Sequence, residues 1–126
     1  MSVIVCTICS REKDKGERLM PAYERYKGDH IQNVRMIAQA AHKAYYILSG
    51  KFGLLKAGEP VPPYDYALRD KEAVKKLSYL ISSRLSQDNV THVVLYAKIK
   101  STWTPYIRAM ELACQRCGIN LRIVSL

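Results

Sequence analysis

A strand buried on both faces is indicated by the run Ser2-Val-Ile-Val-Cys-Thr-Ile-Cys9, in which most side chains are apolar or β-branched. A strand with one solvated face would alternate apolar and polar residues, and this run does not. Strands covered on both faces are typical of parallel sheets that carry helices on each side. The run therefore predicts a strand of such a sheet.

Three further runs of strand length follow, and a helical pattern separates each strand from the next. We predict strands at residues 44–49, 91–97 and 121–125, and helices at about residues 29–43, 71–85 and 104–117. Residues 10–28 and 50–65 are polar or rich in glycine and proline, which indicates long loops. This order predicts an α/β protein of one domain, residues 1–126, built as a three-layer α/β/α sandwich on a four-stranded, mostly parallel sheet.

Capping residues mark the expected helix ends. Asp29 is placed to cap the first helix, with Gln32 at the reciprocal position of a capping box. Asp70 is placed to cap the second helix, and Thr104-Pro105 combines a cap with an early proline in the third. Gly118 is expected to end that third helix.

The chain is strongly basic. It has 20 Lys and Arg against 11 Asp and Glu, a formal charge of +9, and its pI is about 9.5. Residues 1–63 hold 10 basic and 6 acidic side chains, and residues 64–126 hold 10 and 5, so the excess is not a tail. Such a charge favours a polyanionic partner, nucleic acid or a nucleotide. A solvated basic surface without a partner is the alternative.

The sequence contains no recognisable targeting or membrane-spanning segment. Its apolar start lacks the positive region and cleavage site of a signal peptide. The longest apolar run, residues 90–97, is much shorter than the ~20 residues that cross a bilayer. We expect a cytoplasmic protein with no membrane partner, and its oligomeric state is left open.

Ligands of open parallel sheets bind outside the carboxyl ends of the strands, so the candidate site lies there. The first strand runs into Cys9-Ser-Arg-Glu-Lys13. Backbone N–H groups of such a turn, the Ser10 hydroxyl and the charges of Arg11 and Lys13 suit a phosphate or carboxylate. No glycine-rich phosphate loop is present. An ordinary polar turn is the alternative.

The second strand ends at Ser49-Gly50, and Lys51 follows before another glycine, Gly53. Glycine at these positions allows a positive φ or a close approach of the backbone to a ligand. A lysine held between glycine turns suits anion binding or, once desolvated, nucleophilic catalysis.

A rigid Pro62-Pro63 pair then precedes Tyr64-Asp65. A positioned tyrosine can stack on a base, and a positioned aspartate can act as an acid or base. The alternative is that Tyr64 packs in the core and Asp65 caps a turn. In the third loop, Lys98, Lys100 and Trp103 suit single-stranded nucleic acid, or form a solvated turn with Trp103 packed beneath it.

The four cysteines form two CxxC pairs, Cys6/Cys9 and Cys114/Cys117. Zinc sites place such pairs on turns, whereas these pairs begin inside a predicted strand and a predicted helix. A chain without an export signal also keeps its cysteines as thiols. We therefore expect no metal, no disulfide and no cofactor.

A family resemblance is carried by Leu48-Ser-Gly-Lys-Phe-Gly-Leu-Leu55 followed by Pro63-Tyr-Asp65. This pattern resembles the LS-small-x-aromatic-GLL…PY signature of YaaA-type peroxide stress proteins and of shorter YaaA-like families. The shorter families are also similar in a Cys-Ser-x-x-Lys turn, matched by Cys9, Ser10 and Lys13. The resemblance covers roughly the first half of the chain and implies an α/β fold with its site at these strand ends.

The chain also resembles, more distantly, a domain of archaeosine synthase. That domain has a Pro-Cys-Ser turn together with an SPLGL…YD stretch. That enzyme modifies a base in transfer RNA, and the likeness implies a reactive role for Lys13. The α/β/α arrangement also resembles uracil-DNA glycosylases. Together these resemblances imply a connection with nucleic acids or nucleobases.

Three functions stay open at this point. The first is an enzyme acting on a nucleobase or its N-glycosidic bond, with Ser10, Lys13 and Lys51 on phosphate, Tyr64 on the base and Asp65 as acid or base. The second is a non-catalytic DNA- or RNA-binding protein, and the third is a stress-response or interaction module. The candidate catalytic residues are Asp65, Lys51 and Lys13, and the candidate ligand-binding residues are Cys9, Ser10, Ser49, Gly50, Gly53 and Tyr64.

Overall fold

The computed structural model of the chain describes residues 2–126 and contains a five-stranded sheet and a separate two-stranded one. The strands are β1 (Val3–Ile8), β2 (Met20–Pro21), β3 (Ala44–Ser49), β4 (Gly53–Lys56), β5 (Pro60–Val61), β6 (His92–Ala97) and β7 (Asn120–Ser125). The helices are α1 (Ala22–Arg25), α2 (Asp29–Ala41), α3 (Lys71–Gln87) and α4 (Thr104–Cys117).

The main sheet has the order β4-β3-β1-β6-β7, with β1 in the middle. Strands β3, β1, β6 and β7 are parallel, and β4 is antiparallel to β3. The prediction of a mixed α/β protein with a mostly parallel sheet is confirmed. The four predicted strands are all present, and β1 pairs directly with β3.

The prediction of four strands is wrong because the chain turns back after Ser49 and adds β4. Ser49 pairs with Gly53, and Leu48 pairs with Leu54. Gly53 has a φ of 84°, a conformation that glycine adopts without strain. The glycines around residue 50 therefore make a tight hairpin, where the sequence had indicated a long loop.

The prediction of a structureless loop over residues 10–28 is also wrong. This segment contains β2 and α1, and β2 pairs with β5 as a two-stranded ribbon. Arg25 organises the segment from inside: it is fully buried, and its guanidinium donates hydrogen bonds to backbone carbonyls. The acceptors are the carbonyl oxygens of Asp14, Gly16, Arg18 and Val61.

Both faces of β1 are buried, which explains the apolar run that starts the sequence. Ile4, Cys6 and Ile8 lie in a core shared with side chains of α3 and α4. Val5 lies in a smaller core with Val34 of α2. Helices therefore cover the sheet from opposite sides.

Two of the predicted helix ends are confirmed. The Asp70 side chain caps α3 by accepting a hydrogen bond of 2.7 Å from the Ala73 N–H. Gly118 ends α4 in the left-handed conformation, with a φ of 66°.

Two other cap assignments are wrong. The cap of α2 is Gly28, and Asp29 is the first helical residue. The Gln32 amide instead donates to the Tyr23 carbonyl. The cap of α4 is Trp103, and Thr104 lies inside the helix. In both cases the chain enters the helix one residue earlier than the side-chain pattern indicated.

Candidate functional site

Three loops meet at the carboxyl edge of the sheet. Because β3 and β6 flank β1 in parallel, the residues that follow each strand lie side by side. The Cys9 N–H donates to the Leu48 carbonyl at 2.9 Å, which ties the end of β1 to the end of β3. This is the edge at which open parallel sheets bind ligands.

A hydrogen-bonded cluster of hydroxyl groups lies where β1 and β3 end. The hydroxyls of Tyr26 and Tyr64 are 2.5 Å apart, and Ser49 Oγ is 3.1 Å from the Tyr64 hydroxyl. Ser49 Oγ also accepts from the N–H groups of Lys51 and Phe52 at 3.3 and 3.1 Å. With those bonds accepted, Ser49 donates its own proton to Tyr64, and Tyr64 donates to Tyr26.

The cluster is electrically neutral at physiological pH. Burial raises the pKa of Tyr26 to about 12. Burial also raises the pKa of Tyr64 and that of Tyr106, a residue of α4 whose ring lies next to Gly50. Burial raises the pKa of the neighbouring Cys9 thiol, against the opposing effects of the Gly50 N–H and the Lys13 charge. A protonated thiol is a poor nucleophile. The cluster offers hydrogen-bonding groups rather than a reactive thiolate.

Two lysines from different loops face the same ring of this cluster. Lys13 Nζ lies 4.8 Å from the centre of the Tyr64 ring, and Lys51 Nζ lies 5.6 Å from it. Lys51 also lies 5.5 Å from the Phe52 ring. Neither ammonium is in any of the ion pairs found among residues 2–126. The structure thus brings together Lys13, Lys51 and Tyr64, three of the residues that the sequence analysis assigned to the candidate site.

Other predicted site residues shape the backbone. Ser10 Oγ donates to the Glu12 carbonyl at 2.6 Å and accepts from the Gly28 N–H at 3.0 Å, so it holds the turn after β1. A Cβ added at Gly50 would lie 3.1 Å from the Tyr106 ring. The absence of a side chain at Gly50 therefore leaves room for the Tyr106 ring of the protein and not for a ligand.

Asp65 is not joined to the cluster. It is exposed, and the hydrogen bonds that link Tyr64 to Ser49 and Tyr26 do not include it. Tyr64, which follows the Pro62-Pro63 pair, is held in the cluster by the hydrogen bonds of its hydroxyl. Although Asp65 is next to Tyr64 in the sequence, it is not part of the cluster.

His30 and Trp103 form a second part of the edge, between β1 and β6. His30 Nε2 lies 2.6 Å from the Ile8 carbonyl oxygen, and the His30 and Trp103 ring centres are 4.8 Å apart. Burial, and less strongly the charges of Lys98 and Lys100, lower the pKa of His30. The sequence offered no signal for His30, since a single histidine early in a helix has no distinctive pattern.

The cysteines lie apart from any metal-binding arrangement. All four are free thiols, and residues 2–126 contain no group of three His, Cys, Asp or Glu side chains that could hold a metal ion. Cys6 and Cys114 lie in the same core, and burial raises the pKa of Cys114 to about 12. Across the described part of the chain, no helix has the length and apolar composition required to cross a membrane.

Fold and site together define a small α/β protein with a lysine- and tyrosine-rich site at the carboxyl edge of its sheet. The chain belongs to the family described as "Family of unknown function (DUF6884)", whose model matches residues 4–121. The matched range contains the whole candidate site. No curated protein and no solved structure matches the chain.

Proposed function

We propose that this protein binds nucleotides or nucleic acid at the carboxyl edge of its sheet, with phosphate held by Lys13 and Lys51. The observation that carries the proposal is the convergence of these two ammoniums on the Tyr64 ring without a carboxylate partner within residues 2–126. Two ammoniums directed at one ring without a counter-charge favour an anionic ligand, and a bound phosphate would supply that counter-charge.

The surroundings of the two lysines strengthen the attraction for an anion. Exposed Arg11 follows β1, and exposed Lys98 and Lys100 follow β6 at the same edge. Clustered cations of one sign raise the local concentration of phosphate-bearing partners and accelerate their association. The resemblance of residues 48–55 and 63–65 to YaaA-like proteins supports the same class of ligand.

Binding is better supported than catalysis by the present contacts. The groups at the centre of the cluster are neutral hydroxyls and a thiol, and Asp65 is exposed and outside their hydrogen bonds. An enzyme that breaks an N-glycosidic bond would need a positioned acid or base. Release of free base from nucleotides or oligonucleotides, measured by chromatography, is the test of the enzymatic alternative.

The binding proposal is tested by calorimetry with nucleoside monophosphates and by fluorescence anisotropy with labelled single-stranded oligonucleotides. Lys13→Met and Lys51→Met should each weaken binding, and each should reduce the dependence of log affinity on log salt by about 1. Lys43→Met is the matched control, because Lys43 is exposed and directly precedes β3 at the opposite edge. The proposal is wrong if no ligand binds at low salt, or if all three variants bind alike.

A further inference from the structure

A groove opens beside Lys51, between the β3–β4 turn and the first turns of α3. It encloses about 470 Å³, which is within the range of small-molecule sites. Side chains of four chemical kinds line it: cationic, anionic, aromatic and apolar. They include Lys51, Tyr66, Asp70, Glu72, Lys76 and Leu80.

An aromatic ring and two ammoniums share this groove. Tyr66 is 41% exposed, and among residues 2–126 its ring is in none of the aromatic or cation–π pairs. Lys51 and Lys76 are both exposed. An open tyrosine face next to cations is the arrangement that stacks a base while its phosphate is neutralised.

The other side chains that line the groove favour a mononucleotide over a continuous nucleic-acid strand. Asp70 uses one carboxylate oxygen to cap α3, and Glu72 lies in the first turn of that helix. Carboxylates accept hydrogen bonds from ribose hydroxyls or from base N–H groups. They would repel the next phosphate of a continuous strand. Leu80, 48% exposed, adds an apolar wall.

We infer that this groove receives the base and sugar of a mononucleotide, with Tyr66 stacked on the base, and that Lys76 adds to the positive charge that Lys13 and Lys51 present to the phosphate. The inference rests on the proposed function, because Lys51 lines the groove and also faces Tyr64. It adds a base-binding surface that the sequence motifs did not include, since Tyr66 and Lys76 lie outside them.

The test compares a nucleoside monophosphate with inorganic pyrophosphate, both by calorimetry. Tyr66→Ala should lower the affinity for the monophosphate about tenfold or more, because loss of one base-stacking contact usually has an effect of this size. It should leave pyrophosphate binding unchanged. Lys51→Met should lower the affinity for both ligands. Tyr66→Phe, which keeps an aromatic ring, should bind the monophosphate more tightly than Tyr66→Ala does. Tyr79→Ala is the control, because Tyr79 is an exposed tyrosine of α3 outside the groove lining.

The possible failures are distinguishable. If Tyr66→Ala binds the monophosphate as well as the wild-type chain does, while Lys51→Met weakens it, the groove assignment is overturned and the proposed function stands. If the wild-type chain binds neither the monophosphate, nor pyrophosphate, nor an oligonucleotide, both are overturned. Tighter binding of a single-stranded oligonucleotide than of the monophosphate, with Tyr66→Ala affecting both equally, overturns the choice of a mononucleotide.

Discussion

Arg25 brings a positive charge into the interior, where backbone carbonyls surround it. It is fully buried, and within residues 2–126 it forms no ion pair with a carboxylate. Hydrogen bonds to a charged donor are stronger than neutral ones and compensate part of the lost hydration. The guanidinium fork suits this role because it donates in several directions within one plane.

Replacement of Arg25 should therefore unfold the segment that it organises. Arg25→Met removes the donor from the buried Val61 carbonyl and from three partly buried carbonyls, so we expect the free energy of unfolding to fall by about 3 kcal/mol or more. Urea denaturation measures the change. Arg18→Met is the control, because the side chain of Arg18 is exposed and only its carbonyl is used. A loss below about 1 kcal/mol for Arg25→Met would contradict the role assigned to the guanidinium.

Tyr26 should make the protein less stable at high pH. Burial raises the pKa of Tyr26 from an ordinary value of 10.0 to about 12. Between these values the unfolded chain has lost the phenolic proton and the folded chain has kept it. The unfolded state thus binds fewer protons, and stability falls as pH rises.

The contribution of Tyr26 is fully present below about pH 10 and is lost as pH approaches 12. Its size is on the order of 3 kcal/mol. Urea titrations between about pH 8 and 11.5 measure the slope, and Tyr26→Phe should make the curve less steep than that of the wild-type chain. An equal slope in both proteins would show that other groups govern the alkaline transition.

Among the secondary-structure elements, β4 depends on a single backbone conformation. Gly53 has a φ of 84°, and a Cβ at this position would lie 3.0 Å from the Leu80 Cβ. Gly53→Ala combines a left-handed conformation with a close contact, so we expect a loss of about 1–2 kcal/mol or more. Thermal unfolding of the variant and of the wild-type chain measures this loss of stability. Gly58→Ala is the matched control, since nothing lies within 4 Å of a Cβ there, and equal losses in both variants would contradict this account.

The elements that the sequence predicted are those with long, regular patterns. Buried strands such as β1 and β3 are continuous apolar runs, and α3 and α4 repeat their apolar residues at helical spacing. The missed elements, β2, β4, β5 and α1, have two to four residues each. Segments this short have no measurable period. The short strands form against a partner strand, and α1 contains Arg25, whose hydrogen bonds hold the surrounding segment.

The site was predicted in part for a similar reason. Ser49 is the last residue of a strand, Lys13 and Lys51 follow strand ends, and the parallel order of the sheet brings strand ends together. Tyr26 reaches the same place from its extended position after α1, Tyr106 reaches it from α4, and no strand-end pattern in the sequence indicates either approach. The exposure of Asp65 likewise follows from the folded chain, because its neighbour Tyr64 is half-buried and Asp65 is not.

For the molecule as a whole, the charge of +9 makes the free energy of unfolding depend on the salt and the anionic ligands in solution. Like charges repel most in the compact state, so any added salt should stabilise the chain somewhat by screening. A ligand that occupies a site adds a second effect, because binding to the folded state alone shifts the folding equilibrium. At 100 times its Kd, such a ligand contributes about 2.7 kcal/mol.

Pyrophosphate should therefore raise the Tm further than sodium chloride does at equal ionic strength. Both salts screen alike at the same ionic strength, so the difference between them reports effects other than screening, and the part of that difference that depends on the two lysines reports site binding. The difference should shrink in Lys13→Met and Lys51→Met and persist in Lys43→Met, which removes one charge without touching the site. Differential scanning calorimetry of the four proteins gives the comparison. If pyrophosphate and sodium chloride stabilise the wild-type chain equally, the net charge alone accounts for the effect, and the two lysines hold no phosphate.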